Sequence, residues 1–278
     1  VAEINCNDAG YSCADALFQR NHAPGRSVLG IIGRDGCMAE YVAAPAANLH
    51  VVPERVRDAE AVFAEPLAAA ARIVEQGLLK PDTEIAVIGD GKLGLLCAAV
   101  LAAEAPRLQC RVTLLGRHAE KMRLVEGLAA TVLLPRPELG AQASEPPAAD
   151  PLTPLEGRFH LVVEASGSSG GIKSALRLCR PLGSVVLKST VSTRHGDGVL
   201  WAEVANDAVV NEKVLVGSRC GPMDVALRLM DLHPQLRVQV KSMVSEVCML
   251  ENAEHAIGVA ARKGVLKVQL RTPAGLMS

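Results

Sequence analysis

The chain has 278 residues, of which 49% are hydrophobic, 21% are charged and only 2% are aromatic, and its formal net charge is −1. This is the composition of a globular protein with a sizeable core, and the length suggests one large or two ordinary domains. The low net charge and the scarcity of aromatic residues argue against a nucleic-acid partner. No signal-peptide pattern opens the sequence, and the longest apolar run, residues 93–103, is too short to cross a bilayer, so we expect no membrane partner.

The first part of the chain predicts a region of short strands. Residues 1–27 are polar and irregular, and short β-type runs alternate with turns after them. Three such runs predict strands at 28–32, 39–42 and 49–52. Pro53 breaks this pattern, and residues 58–77 then predict a helix with alanine and leucine on its inner face.

The most informative segment is a glycine motif, G-x-G-x-x-G, at residues 89–94. The apolar run before it predicts a buried parallel strand, and the apolar run after it predicts a helix. In such a motif Gly89 would form the tight turn, Gly91 would let a pyrophosphate approach the backbone, and Gly94 would let the helix pack closely on the strand.

The start of this helix is the predicted phosphate site. Lys92 and Leu93 begin the helix, so its free N–H groups and the positive end of its dipole would face the phosphates. A glycine-rich turn without a ligand is the alternative. The strand before the motif and the helix after it favour nucleotide binding.

The second predicted strand, residues 111–115, ends differently from the usual NAD-binding unit. Such units place an acid here to bind the ribose 2′-hydroxyl, whereas this chain has Gly116, Arg117 and His118. The missing carboxylate removes a repulsion from a 2′-phosphate, and the arginine supplies a planar donor for it. The sequence therefore favours NADP and leaves NAD open. Arg117 as a plain solvated loop residue is the alternative interpretation.

Strand and helix patterns alternate from residue 83 to residue 220 and, with a further helix after them, predict an α/β fold with a doubly wound parallel sheet. The predicted strands are 85–88, 111–115, 131–134, 161–164, 184–188 and 214–217. The predicted helices are 93–103, 119–128, 171–179 and 222–232. Six prolines between 135 and 154 predict a flexible surface excursion. Short strands and a helix resume after residue 238 and end in a strand at 267–270.

Several segments in a fixed order resemble the medium-chain dehydrogenase/reductase superfamily, the zinc-type alcohol dehydrogenases, in its threonine- and sorbitol-dehydrogenase-like branch. They are G-C-M-A-E-Y at 36–41, E-P-L-A at 65–68, V-E-A-S-G at 163–167, R-P-L-G with V-V-L-K at 180–188, and G-V-L-K-V at 264–268. The resemblance extends from about residue 28 to residue 270.

This resemblance implies three segments with different roles. Residues 1–70 would be part of a β-rich, GroES-like catalytic domain with a degenerate structural-zinc lobe. Residues 71–235 would form the dinucleotide-binding Rossmann domain, and residues 236–278 would return to the catalytic domain. The implied activity is hydride transfer between NADP(H) and a small-molecule alcohol or ketone, with a homodimer formed through the edge of the Rossmann sheet as one option.

Two departures from the family concern zinc. The family's C-G-T-D-type and G-H-E motifs, which hold a catalytic zinc, have no counterpart in this sequence, and only Glu65 matches a family ligand position. The four cysteine positions of the structural-zinc lobe correspond to Ala9, Ser12, Asp15 and Ala23. We therefore expect zinc only in a longer parent protein that supplies upstream ligands, and no stoichiometric zinc in this chain.

The resemblance also suggests further site residues. Glu65 would be a catalytic, metal-linked carboxylate, although an acid in the first turn of a helix is also favourable by itself. Ser166 and Gly167 would lie against the nicotinamide ribose. Lys188 would serve the cofactor or a substrate carboxylate, or be a solvated strand end, and Ser189 and Thr190 leave the fifth strand at the same edge.

The cysteines and the remaining histidines carry no comparable pattern. Eight cysteines are scattered without the spacing of a disulfide framework, so we expect free thiols and an intracellular, cytoplasmic protein. Cys6, Cys13 and His22 could hold a metal, but their spacing matches no common metal site. We interpret the histidines at 50, 160, 195, 233 and 255 as structural or solvent-exposed.

Three functions are consistent with the sequence. The first is an NADP-dependent oxidoreductase of the medium-chain alcohol dehydrogenase type. The second is a catalytically inactive nucleotide-binding module. The third is a zinc-independent NADPH reductase of the quinone-reductase kind, in which the protein binds and orients the reactants.

Overall fold

The computed structural model describes residues 1–8, 10–135, 150–191 and 201–272. Most of the proline-rich segment, Ala9 and His195 lie outside the described residues. The chain divides into two compact units, one of Val1–Ala68 with Cys220–Ser278 and the other of Ala69–Arg219. The sequence analysis assigned a catalytic or a dinucleotide-binding role to the segments that begin at residues 1, 71 and 236. These assignments stay a prediction.

The described residues contain short and medium strands and helices. The strands are β1 (Asn5–Cys6), β2 (Ser27–Val28), β3 (Glu84–Ile88), β4 (Arg111–Gly116), β5 (Ala130–Leu133), β6 (Phe159–Glu164), β7 (Cys179–Leu187), β8 (Val214–Gly217), β9 (Val244–Met249) and β10 (Lys267–Arg271). The α-helices are α1 (Ala16–His22), α2 (Asp58–Ala61), α3 (Ala64–Glu75), α4 (Lys92–Leu108), α5 (Ala119–Met122), α6 (Ser169–Leu178), α7 (Trp201–Val210), α8 (Met223–Leu232), α9 (Pro234–Ser242) and α10 (Ala253–Ala260). None of these helices is long and apolar enough to cross a membrane.

The unit of residues 69–219 is built on one parallel sheet. Its six strands lie in the order β5-β4-β3-β6-β7-β8, which is the Rossmann order 3-2-1-4-5-6. The strand order reverses between β3 and β6, where Ile85 pairs with Leu161. The predicted α/β class with a doubly wound parallel sheet is confirmed.

The burial of the central strands explains why the sequence predicted this sheet correctly. The last four residues of β3 and of β6 are all buried, as expected for strands covered on both faces. Leu176 and Leu178 of α6 pack with Val162 and Val185 in one apolar cluster. An uninterrupted apolar run is therefore the correct signature for these central strands.

The other unit has far less sheet than its sequence suggested. β1 and β2 form a two-residue antiparallel pair, and β9 and β10 form a parallel pair. Of the three runs predicted as strands, residues 28–32 share only Val28 with β2 and then turn back to a bridge between Val28 and Ile32. Residues 39–42 form no strand, and residues 49–52 contribute only a bridge between Leu49 and Ala2. Residues 39–42 are exposed, residues 49–52 are partly exposed, and neither run has a neighbouring strand among the described residues, so their backbone does not form a ladder.

Several helices also differ from the prediction. The single helix expected at 58–77 is divided into α2 and α3, and the one expected at 119–128 is α5 followed by a 3-10 turn. The sequence analysis did not identify α7 or α9, and residues 1–27, which were expected to be irregular, contain β1 and α1. Pro234 occupies the first position of α9, where a proline starts a helix rather than breaking it.

Candidate nucleotide-binding site

A cavity of about 310 Å³ opens where β3, β4 and β6 end. Its lining includes Gly89 and Gly91 after β3, Arg117 and His118 after β4, and Ser166 after β6. Ligands of open α/β sheets bind outside the carboxyl ends of the strands at the point where the strand order reverses. The cavity lies at this position, within the unit of residues 69–219.

Two glycines of the loop are required by packing. Gly89 has a φ of +112°, and a Cβ there would lie 2.8 Å from the backbone nitrogen of Ser166. A Cβ on Gly94 would overlap the carbonyl oxygen of Gly89. These two positions therefore bring the turn against β6 and the start of α4 against the turn.

Gly91 differs from them because a Cβ at this position would meet nothing within 4 Å. Its φ of −75° and ψ of 177° are extended and open to any residue. A side chain at this position would not clash with the fold, so the glycine is not required by packing. Its effect is to leave empty space at the cavity. This is the space that a pyrophosphate would fill.

The start of α4 presents a positive end to the same region. Gly91 is its N-cap and no side chain caps the helix, so its first N–H groups keep the capacity to bind an anion. Lys92 is exposed and Leu93 is half-buried at the first two helical positions. Lys92, Leu93 and the buried Gly94 all lie outside the lining of the cavity.

Asp90, which the sequence analysis did not single out, organises the turn after β4. Its carboxylate is only 7% exposed and accepts hydrogen bonds from the backbone N–H groups of Arg117 (2.6 Å) and His118 (2.5 Å). The His118 ring nitrogen Nδ1 lies 3.0 Å from the same carboxylate. Burial alone would raise the pKa of Asp90, but the hydrogen bonds from His118 and Arg117 outweigh it and hold the pKa below its ordinary value of 3.8.

The Asp90 side chain also fills the space beside Gly116. A Cβ on Gly116 would lie 2.6 Å from the Asp90 Cβ, so position 116 must be glycine while Asp90 is in place. In place of the acid that an NAD-binding unit has at the end of β4, this chain has the Asp90 carboxylate of the glycine loop. That carboxylate already accepts hydrogen bonds from the backbone of the turn after β4. Arg117 is exposed at the cavity next to it.

A second buried carboxylate orders the loop after β6. Glu164 is fully buried, and its Oε1 accepts hydrogen bonds from the backbone N–H groups of Ser166 (2.7 Å) and Gly167 (3.2 Å). Its Oε2 has no hydrogen-bond partner among the described residues. Ser168 caps α6 by accepting a bond from the Gly171 N–H at 3.0 Å, and its Oγ lies 2.9 Å from the Ser166 Oγ. Both hydroxyls are therefore held in place at the cavity.

The remaining predicted cofactor residues lie beside the cavity, outside its lining. Gly167 has a φ of +69°, and a Cβ there would lie 3.2 Å from the Thr190 carbonyl oxygen and 3.6 Å from the Ser189 Cβ. The interpretation of Lys188 as a solvated strand end is wrong. The residue is only 7% exposed, and its ammonium group donates hydrogen bonds to Ser218 Oγ (3.0 Å) and to the Arg219 carbonyl (2.5 Å). Lys188 ties the end of β7 to the segment after β8.

Glu65 does not form a zinc site with the residues described. It lies half-buried in the first turn of α3. Within the described residues, it belongs to no group of three or more histidine, cysteine, aspartate or glutamate ligands close enough to share a metal ion. One carboxylate does not provide the three protein ligands of a catalytic zinc, so no chemical step is derived through zinc.

The fold and the cavity define a Rossmann-type α/β protein, and the known proteins similar to this chain agree with that class. No family model matches the chain. D-xylulose reductase A of Aspergillus oryzae is 26% identical over 232 residues, which cover 83% of this chain and 62% of the reductase. Glucose 1-dehydrogenase of Halobacterium salinarum is 30% identical over 209 residues, which cover 70% of this chain and 54% of that enzyme.

A solved structure from Sinorhizobium meliloti 1021, described as a zinc-binding dehydrogenase bound to NADP, is similar over nearly the whole chain. It is 26% identical with a TM-score of 0.72, and the match covers 97% of this chain and 75% of that one. The predicted resemblance to the medium-chain dehydrogenase/reductase superfamily is confirmed. The chain spans less than two thirds of the length of the two curated relatives.

Proposed function

We propose that the protein transfers a hydride between NADP(H) and an alcohol or ketone, as an oxidoreductase of the medium-chain alcohol dehydrogenase type. The observation that carries the proposal is the empty space over Gly91, at the uncapped start of α4 and within a cavity lined by Arg117 and His118. Because the curated relatives are named for D-xylulose and glucose, sugar-derived alcohols are the first substrates to test.

In this proposal the chain's residues bind and orient the cofactor. The Gly91 backbone and the first N–H groups of α4 hold the pyrophosphate. Arg117 and His118 bind the 2′-phosphate, while Ser166 and Gly167, fixed by Glu164, orient the nicotinamide ribose. When bound, the cofactor supplies or accepts the hydride.

The preference for NADP over NAD depends on a balance of charges at the end of β4. The Asp90 carboxylate would repel a 2′-phosphate, but it already accepts bonds from two N–H groups and the His118 ring. Arg117 adds a planar cation at the cavity, and its guanidinium can bind a phosphate through two parallel hydrogen bonds. The balance favours the phosphorylated cofactor.

Titration of NADPH and NADH into wild-type protein and the Arg117→Ala variant tests this preference. The wild type should bind NADPH more tightly, and Arg117→Ala should weaken NADPH binding by about 10- to 100-fold, which is about 1.4–2.8 kcal/mol. NADH binding should change little. Arg123→Ala removes an exposed arginine of the same unit outside the cavity lining, and serves as the control for net charge. Equal affinities of the wild type for the two cofactors would contradict the proposal.

Among the described residues, Glu65 belongs to no group of three metal ligands, and this favours two other candidate functions. One is a zinc-independent NADPH reductase of the quinone-reductase kind, and the other is a nucleotide-binding module without turnover. Both use the same cavity and neither requires a metal ligand. Assays with a secondary alcohol and with a quinone, each with and without added zinc, separate them. Zinc-dependent alcohol oxidation would favour the first function, zinc-independent quinone reduction the reductase, and tight NADPH binding without turnover the module.

Two further features belong to the proposal. All eight cysteines are free, which supports an intracellular location in a reducing compartment. β8 is an edge strand of the six-stranded sheet, and we propose it as the contact for a second copy in a homodimer.

A further inference from the structure

Three side chains of the kinds that bind zinc meet in the unit of residues 1–68 and 220–278. Glu246 and Cys248 lie on β9, and His255 lies on α10. One ligand atom from each residue lies within 4.8 Å of those of the other two. Among the described residues, this is the one group of three such side chains at this spacing.

The backbone brings these residues together. Positions 246 and 248 are two apart on a strand and so point to the same face. β10 fixes them, because Val268 pairs with Glu246 and Leu270 pairs with Cys248. A 3-10 turn connects β9 directly to α10, which places the third residue of that helix, His255, back over the strand.

Two of the three distances between the ligand atoms fit tetrahedral coordination. Cys248 Sγ and His255 Nε2 lie 3.3 and 3.2 Å from Glu246 Oε1. Neighbouring ligand atoms around a tetrahedral zinc with ordinary bond lengths are about 3.3–3.5 Å apart. Binding would therefore require little movement of the two donors on either side of the carboxylate.

One positive charge lies near the group. The guanidinium of Arg262 acts on the Glu246 carboxylate and would oppose a metal.

We propose that Glu246, Cys248 and His255 form a zinc site with three protein ligands and a fourth position open to water. A thiolate, an imidazole and a carboxylate are a ligand set that suits zinc. Cys248 is buried, whereas Glu246 and His255 are partly or largely exposed, so water can reach the fourth position. The site is separate from the expected Glu65 position and replaces the expectation that this chain binds no zinc.

Cobalt titration of the full chain, without an affinity tag and after washing with a chelator, tests the site. Co²⁺ should bind one per chain and produce a near-ultraviolet thiolate-to-cobalt absorption band, which added Zn²⁺ should remove. Cys248→Ser should abolish the band. Cys37→Ser, which removes an exposed thiol of the same unit, should keep it.

A second variant keeps the test decisive if Cys248→Ser does not fold. His255→Ala changes an exposed side chain and should weaken Zn²⁺ binding by at least about tenfold, with NADPH affinity unchanged. The proposal is overturned if wild-type protein gives no band, if the band survives in folded Cys248→Ser, or if His255→Ala binds Zn²⁺ like the wild type. A band lost in Cys6→Ser or Cys13→Ser and kept in Cys248→Ser would place the metal elsewhere and would also overturn it.

Discussion

Two runs of the chain look alike in sequence and differ completely in structure. Residues 111–115 and residues 49–52 are both rich in valine and leucine, and both were predicted as strands. The first is β4, with Leu114 fully buried between β3 and β5. The second has only a single bridge, and its Leu49 is 58% exposed. Strand propensity alone does not make a strand.

The difference lies in what surrounds each run. β4 has parallel neighbours on both sides and α4 packed against it, so its backbone groups are paired and its side chains are buried. Residues 49–52 have no such neighbours within the described residues. Propensity for β-structure reflects fit to a half-buried, paired surface, so the same residues remain irregular where that surface is missing.

The largest expected effect tests this contrast with one kind of substitution. Leu114→Ala should lower the free energy of unfolding by about 2–5 kcal/mol, because it leaves a cavity in the sheet core. Leu49→Ala should lower it by less than about 1 kcal/mol, since the side chain is already largely in water. Urea unfolding of both variants measures this, and equal losses would show that residues 49–52 pack as tightly as β4.

Gly91→Val should separate ligand binding from folding within the glycine loop. The added side chain would enter open space at the cavity, so NADPH affinity should fall by at least about a hundredfold, or about 2.8 kcal/mol. The extended backbone accepts valine, and the fold should lose only about 1 kcal/mol through the weaker helix cap.

The matched control for this variant is Gly217→Val, which makes the same change in β8, also in open space and outside the cavity lining. It should bind NADPH like the wild type. A folded Gly91→Val protein with wild-type affinity would show that the pyrophosphate does not occupy the space over Gly91.

Two helical glycines should respond to alanine in opposite directions. Gly94→Ala should destabilise the protein by about 1–3 kcal/mol, because its Cβ would overlap the Gly89 carbonyl. Gly258→Ala, in the exposed interior of α10 with nothing nearby, should stabilise it by about 0.5–1 kcal/mol. Thermal unfolding of the two variants gives both signs, and stabilisation by Gly94→Ala would refute the close packing of α4 on the turn.

The parts that could be predicted from sequence are those in which neighbours along the chain are also neighbours in space. The glycine loop joins β3 to α4 within a few residues, so the sequence motif alone predicted the strand, the turn and the helix. The role of Asp90 was missed because its partners, Arg117 and His118, are 27 and 28 positions away. The burial of Lys188 depends on Ser218, 30 positions away. The closeness of Cys248 to His255 depends on a turn that no periodicity reveals.

Asp90→Asn should have the smallest effect and a characteristic pH dependence. The amide keeps the shape and can still accept a backbone hydrogen bond, but it lacks the charge that strengthens the bonds from Arg117 and His118. At pH 7 we expect the variant to be less stable than the wild type by about 1 kcal/mol.

The sign of the pH dependence follows from the lowered pKa of Asp90 in the folded protein. The unfolded carboxyl binds a proton near its ordinary value of 3.8, and the folded one does so at lower pH. The wild-type advantage should therefore stay constant from neutral pH down to the ordinary value, and decrease as the pH falls further through the folded pKa. Denaturant unfolding of wild type and variant over this range measures the difference. Glu126→Gln makes the same carboxylate-to-amide change on the exposed surface of this unit and should show no such difference. An advantage that instead grew on acidification would mean that Asp90 is protonated in the folded turn, and that His118 and the backbone N–H groups do not stabilise its charge.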